Sequence, residues 1–281
     1  MEVRTVKGNP IPSAPLATAS MPVAAIAEAL RRAGDDIDDD TFDAIVALGP
    51  KAVPPLVALV RQAEDEPGRW LTPVPWSALT LLGHVADITA LDTILDLARG
   101  VDPEGFELAE MLTTIVQHIG TPAVPGLLAL RDEVAADPDA ADALELVAGM
   151  LVHLECRDDR LLAALVQILA QGDSVMAAAL LADFGDARAI PPLSRTLDAL
   201  DFDPQDLMLF SNMEIVEIAG ALQALGGTLT PAQDAKLALV DAIRHRMAAA
   251  SRKRGMGRND ACWCKSGRKC KKCCLAKDEA V

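Results

Sequence analysis

A short phrase returns along most of this 281-residue chain. It runs as an apolar stretch, a Gly or Asp, then Ala or Val, often Pro, then a second leucine-rich stretch. The clearest copies are ALGPKAVPPLVALV around Ala52, LLGHVADITALDTILDLA around Ala90 and HIGTPAVPGLLAL around Ala123. Looser copies are LECRDDRLLAALVQIL around Leu161, DFGDARAIPPLSRTL around Ala189 and LGGTLTPAQDAKLALV around Ala232. These anchors lie 38, 33, 38, 28 and 43 residues apart, a mean of 36. A period of that size holds two helices, and so small a unit buries a face only against its neighbours, so several must stack.

Local chemistry agrees. Pro54, Pro125 and Pro191 fall where the second helix of a unit begins, in the first turn, where a missing N–H is harmless. Thr230-Pro231 gives the same start signal, and Leu237, Val240, Ile243 and Met247 follow at helical spacing. The chain has 49 alanines and 38 leucines but no tyrosine and only 3% aromatic residues. That composition excludes an all-β fold, and with half the residues apolar it excludes disorder of the whole. Alanine lets helices approach closely, so an aromatic-poor core is no handicap. The period and wording resemble HEAT-like helical repeats of the bacterial variety, over roughly residues 40–247. The expected fold is all-α, a HEAT-like α-solenoid over 21–250 that opens on a capping helix from Met21 to Arg32.

Residues 1–20, with Pro10, Pro12 and Pro15 and no continuous apolar core, read as a disordered leader rather than a signal peptide. No window approaches eighteen uncharged apolar residues, so no membrane span is expected, and the chain reads as cytoplasmic. The acidic run Asp35–Asp40 invites a calcium loop, but Thr41 and Ala47 stand where Gly and Glu are needed. It reads as a solvated turn placing acids at a helix start.

Within the body, His84, His118 and His153 are spaced 34 and 35 residues apart. In a stacked array this suggests a histidine row, but histidines are common near helix C-termini, and they read as structural. His153 and Cys156 lie three apart, on one face if the helix continues; Cys156 reads as a small buried hydrophobe. Trp70 and Trp76 flank Pro73 and Pro75 and read as packing a connection onto the first unit, in preference to forming a partner-binding rim. No serine-hydrolase elbow, phosphate loop or zinc-protease motif occurs, so no catalytic residue is expected and the chain reads as a non-enzyme.

The net charge of −15 conceals two opposed regions. Residues 1–243 hold 14 Lys/Arg against 38 Asp/Glu, whereas 244–277 hold 12 basic residues and one acid, Asp260. Five of the six cysteines fall in that basic segment, within GRNDACWCKSGRKCKKCC at 257–274. Five thiols so close together, in a piece too small for a core, point to zinc rather than disulfides. Ser266-Gly267 supplies the turn between two ligand arms, and neighbouring Lys and Arg favour thiolates. Cys262 and Cys264 form one arm. The other is either Cys270 with Cys273 or Cys273 with Cys274.

The segment resembles the SEC-C motif, GRNDPCPCGSGKKYKKCCG, the zinc-binding tail of the SecA preprotein translocase ATPase. Gly257, Arg258, Asn259, Asp260, Ser266, Gly267, Lys269, Lys271 and Lys272 match it, as do Cys262, Cys264, Cys273 and Cys274. Ala261, Trp263, Lys265 and Leu275 depart from it, and Cys270 occupies its aromatic position, where it competes as a ligand. The resemblance implies a motif over 257–275, after a basic linker at 251–256 and before a tail at 276–281, holding Zn²⁺ on Cys262, Cys264, Cys273 and Cys274. It also implies a docking module. The chain is then expected to be a non-enzymatic adaptor whose knuckle docks on an acidic partner such as an export chaperone or the ribosome. Arg258, Lys265, Arg268, Lys269, Lys271 and Lys272 would steer it, with Trp263 as a contact residue. The alternative is RNA binding through the same cations, with a base stacked on Trp263.

Overall fold

The computed structural model describes residues 22, 25–34, 36–65, 67–101, 106–171, 174–203, 210–253, 260, 262, 264 and 266–273, with backbone alone for 67, 69, 210–211 and 246–253. The expected leader, residues 254–256 of the expected linker and the tail lie outside these residues. Among them the ordered elements are helices, with an isolated bridge at Lys269 and no strand. The chain divides into two compact units, Met1–Ala136 and Asp137–Val281, a subdivision that neither the repeat nor the charge announces.

The first unit contains α1 (Ile26–Ala33), α2 (Asp39–Val46), α3 (Val53–Asp65), α4 (Pro73–Val85), α5 (Leu91–Arg99), α6 (Phe106–Ile119) and α7 (Val124–Val134). Even-numbered helices pack on one another, α2 on α4 and α4 on α6, while α1 packs on α3 and α5 on α7. The second unit contains α8 (Ala141–His153), α9 (Asp159–Gln171), α10 (Ser174–Phe184), α11 (Ile190–Ala199), α12 (Phe210–Ala224) and α13 (Pro231–Lys253). There α10 lies between α8 and α12, and α9 packs on α11.

One kind of turn is rebuilt at the first five of the six recurrences of the sequence phrase. Within three residues of the preceding helix's end the chain turns on a residue with positive φ: Gly49, Ala86, Gly120, Glu155 or Gly185. In four of the five cases a 3₁₀ turn follows, Gly49–Ala52, Ile88–Ala90, Thr121–Ala123 and Ala187–Ala189. Each closes on an alanine with 0% exposure, Ala52, Ala90, Ala123 and Ala189. A larger side chain there would have to displace closely packed neighbours, a physical reason for the phrase to carry alanine. Where the turn lacks proline, an aspartate holds it. The Asp87, Asp158 and Asp186 carboxylates accept the N–H groups of Thr89, Arg160 and Arg188 at 2.8–2.9 Å. The second helix then starts with Pro54, Pro125 or Pro191 in its first turn, as the sequence requires.

Leucines fill the space between the helices. Leu56, Leu79, Leu81, Leu82, Leu127, Leu165, Leu181, Leu193 and Leu222 are all at 0% exposure. On the outside, an ion-pair chain ties α3, α5 and α7: Arg61 to Asp96 at 3.1 Å, Asp96 to Arg99 at 2.9 Å, and Arg99 to Glu133 at 2.7 Å. These side chains are roughly half exposed, so the chain fixes register more than it adds stability.

Three expectations are adjusted. Ala232, the last repeat anchor, is exposed, and the neighbouring Gln233 is buried instead. Thr230 and Gln233 form a reciprocal capping box, and the Gln233 amide also donates to Ser194 Oγ and Asp198, which seats α13 on α11. Second, Cys156 shares no helix with His153, because α8 ends at His153 and Glu155 turns the chain at φ 54°. Third, helix α13 continues through Lys253, into the stretch expected to be linker. The acidic run behaves as expected: Asp38 caps α2 by accepting the Thr41 N–H at 2.8 Å.

Candidate metal centre

The cysteine segment builds a small scaffold from very few contacts. The Cys262 N–H donates to the Arg268 carbonyl at 2.8 Å, and the Cys270 N–H to the Asp260 carbonyl at 2.9 Å. These two bonds close a short hairpin. Gly267, at φ 73°, makes its turn, a conformation costly for a residue with a β-carbon. A 3₁₀ turn over Cys270–Lys272 follows and brings Cys273 back toward the first arm.

Three thiols converge as a result. Cys264 Sγ lies 3.4 Å from both Cys262 Sγ and Cys273 Sγ, and all three sulfurs fall within 4.8 Å of one another. A tetrahedral site with ordinary metal–sulfur bonds of about 2.3 Å separates its sulfurs by about 3.8 Å, so three thiols at this spacing could hold one thiophilic metal ion. Ser266 Oγ sits 3.2 Å from Cys273 Sγ. Donors from the Ser266 hydroxyl and backbone N–H, helped by the Cys262 and Cys273 thiols, push the Cys264 thiol down to about 6. The arm is therefore prepared to deliver thiolate, the form that ligates metal.

Cys270 is buried at 3% exposure and is not in the three-sulfur group. It is enclosed within the hairpin. Of the expected ligands, Cys262, Cys264 and Cys273 are thus brought together, and Cys274 lies outside the described residues. Arg268, Lys269, Lys271 and Lys272 are exposed around the centre. Arg258, Trp263 and Lys265 lie outside the described residues.

The histidines serve packing and helix ends. His118 Nδ1–H donates to the Gly83 carbonyl across to α4 at 2.8 Å, and His84 stacks edge-on to Phe42 with ring centres 4.9 Å apart. His153 Nδ1–H donates to Gly149 O in its own helix. None of them joins a cluster of three metal-ligating side chains among the described residues. Trp76 Nε1–H donates to the Trp70 carbonyl at 2.9 Å and the two rings meet edge to face, so this pair packs the connection as expected. What the sequence did not reveal is a groove beside Trp76, between α4 and α6. Its residues come from segments some thirty positions apart, and no motif joins them.

Among the described residues no single helix is long and apolar enough to cross a membrane. In comparisons with protein-family models, curated proteins and solved structures, the chain matches none.

Proposed function

We propose that this chain is a non-enzymatic adaptor. Its helical units are HEAT-like repeats that present a protein-binding surface, and its C-terminal segment is a SEC-C-like zinc knuckle. Cys262, Cys264, Cys273 and Cys274 hold Zn²⁺, which supplies folding energy to the segment rather than chemistry. The surrounding Arg258, Arg268, Lys265, Lys269, Lys271 and Lys272 dock it on an acidic partner, an export chaperone or a ribosome-associated protein, with Trp263 as a contact. The observation that carries this reading is the convergence of three thiols beside a row of exposed cations. A soft-metal site surrounded by positive charge suits docking on an acidic surface.

Affinity capture with the intact chain tests it. Partners recovered with zinc present should be lost on chelation and on deletion of 251–281. Recovery unchanged by both treatments would end the docking role. Nuclease treatment separates the RNA reading, since an RNA-mediated capture disappears with nuclease and a protein contact survives it. Zinc measured on Cys270→Ser and Cys274→Ser variants assigns the fourth ligand: retained in the first, lost in the second.

A further inference from the structure

The groove in the first unit has no part in the knuckle reading. Helices α4 and α6 pack side by side, and they run in the same direction. Near their C-terminal ends, a β-carbon on Gly83 would stand 3.3 Å from Ile115 Cγ1, and His118 bonds to the Gly83 carbonyl. Toward their N-terminal ends, Trp76 of α4 lines the groove opposite Glu107, Glu110 and Met111 of α6. Close approach at one end and bulky side chains at the other leave a depression of about 400 Å³, floored by the buried Leu79 and Ile115.

This depression continues past the start of α4. A second hollow, lined by Trp70, Leu71 and Pro73, shares Trp76 and Thr80 with the first. Two apolar side chains mark the same N-terminal ends. Leu71, just before α4, is 91% exposed and Phe106, the first residue of α6, is 73% exposed. They are the two most exposed large apolar side chains among the described residues. Scattered exposed apolar residues are ordinary, but a pair at the head of an apolar groove marks a contact surface.

The rim is acidic. Glu107 and Glu110 stand on its α6 side, and among the described residues no Lys or Arg lines either hollow. Neither carboxylate is held in an ion pair among those residues, whereas Asp96 and Glu133, on α5 and α7, are occupied by Arg61 and Arg99. The residues lining the groove thus leave two negative charges for a ligand to neutralise.

We infer that this groove docks a basic amphipathic helix of a partner protein, its apolar side chains between Trp76 and Met111 and its lysines or arginines on Glu107 and Glu110. Grooves between parallel helices take such segments through apolar anchors one turn apart, with charge setting encounter and orientation. The inference rests on the proposed role of the helical body as a binding surface and does not involve the knuckle.

The test uses the intact, zinc-loaded chain and a labelled peptide of leucine and lysine, with its leucines on one helical face, against a scrambled peptide of the same composition. The amphipathic peptide is expected to bind about ten-fold more tightly than the scrambled one. Glu107→Lys with Glu110→Lys should weaken it by about ten-fold or more. The charge-matched pair Asp234→Lys with Asp241→Lys, on α13, should leave affinity within about two-fold. Equal weakening by the two double variants, or equal binding of the scrambled peptide, would reduce the effect to bulk attraction and overturn the inference. Self-association of the peptide-free chain, abolished by Leu71→Ser with Phe106→Ser, would give the groove to a second copy and also overturn it. Cys264→Ser, which disables the metal site, is expected to leave peptide affinity unchanged, so failure of the knuckle and failure of the groove are told apart.

Discussion

The helical body and the cysteine segment solve the problem of holding a chain in place by opposite means. The body encloses dozens of leucine, isoleucine, valine and alanine side chains, and its stability is spread over many contacts. In the cysteine segment the described buried side chains are Cys262 and Cys270. Two buried thiol side chains offset little of the conformational entropy of ordering the hairpin, and in the proposed knuckle metal–sulfur bonds supply the rest. The body is therefore expected to tolerate damage in graded steps, whereas the knuckle fails as a unit.

The largest expected effect breaks the knuckle alone. Structural zinc contributes about 10–16 kcal/mol in small metal modules. Cys264→Ser or Cys262→Ser should abolish stoichiometric zinc, measured by metal analysis, while helical circular dichroism and the main thermal transition stay at wild-type values. A shift of that transition would show that the two regions are not energetically separate. Next in size is a cavity in the body. Leu82→Ala removes a side chain at 0% exposure and should cost about 2–5 kcal/mol in denaturant unfolding, with zinc content unchanged.

A smaller effect concerns the aspartate turns. The Arg188 guanidinium and its backbone N–H hold the Asp186 carboxyl below the ordinary carboxylate range. A depressed folded-state pKa stabilises above the unfolded value of about 3.9 and is lost as pH falls through the lower folded value. Thermal stability followed from pH 7 down to about 3 should therefore fall less steeply in Asp186→Asn than in wild type. Parallel curves would remove Asp186 from the acid response. The smallest effect is a gain. Ala86 adopts φ 53°, where glycine stands in the related turns at Gly49, Gly120 and Gly185. Ala86→Gly should stabilise by up to about 1 kcal/mol, read as a higher midpoint in denaturant; a loss would mean that the alanine methyl packs usefully.

The regularities that could be read in advance were those enforced one turn at a time. Proline at a helix start, a fully enclosed alanine and a cysteine spacing all leave marks within a few residues. Pro54, Pro125, Pro191 and the anchors at Ala52, Ala90, Ala123 and Ala189 stand where the phrase places them. The phrase misled at Ala232, because there a buried glutamine making bonds to α11 replaces the alanine methyl. It misled at Cys156 because nothing local announces that Glu155 adopts positive φ. The α4/α6 groove and the division near residue 136 depend on which distant segments meet, and composition does not change at either place. At the metal centre the spacing alone left Cys270 and Cys274 as rivals. The fold sets Cys270 inside the hairpin and apart from the three converging sulfurs.

The enclosed alanines have a consequence for how such a protein can change over generations. At the four joints closed by alanine, a larger or a polar residue would be enclosed where only a methyl is buried now. Variation is thereby channelled to the outward faces, where substitutions alter what is touched without altering the frame. A chain built this way can change its exposed surface while its skeleton stays still.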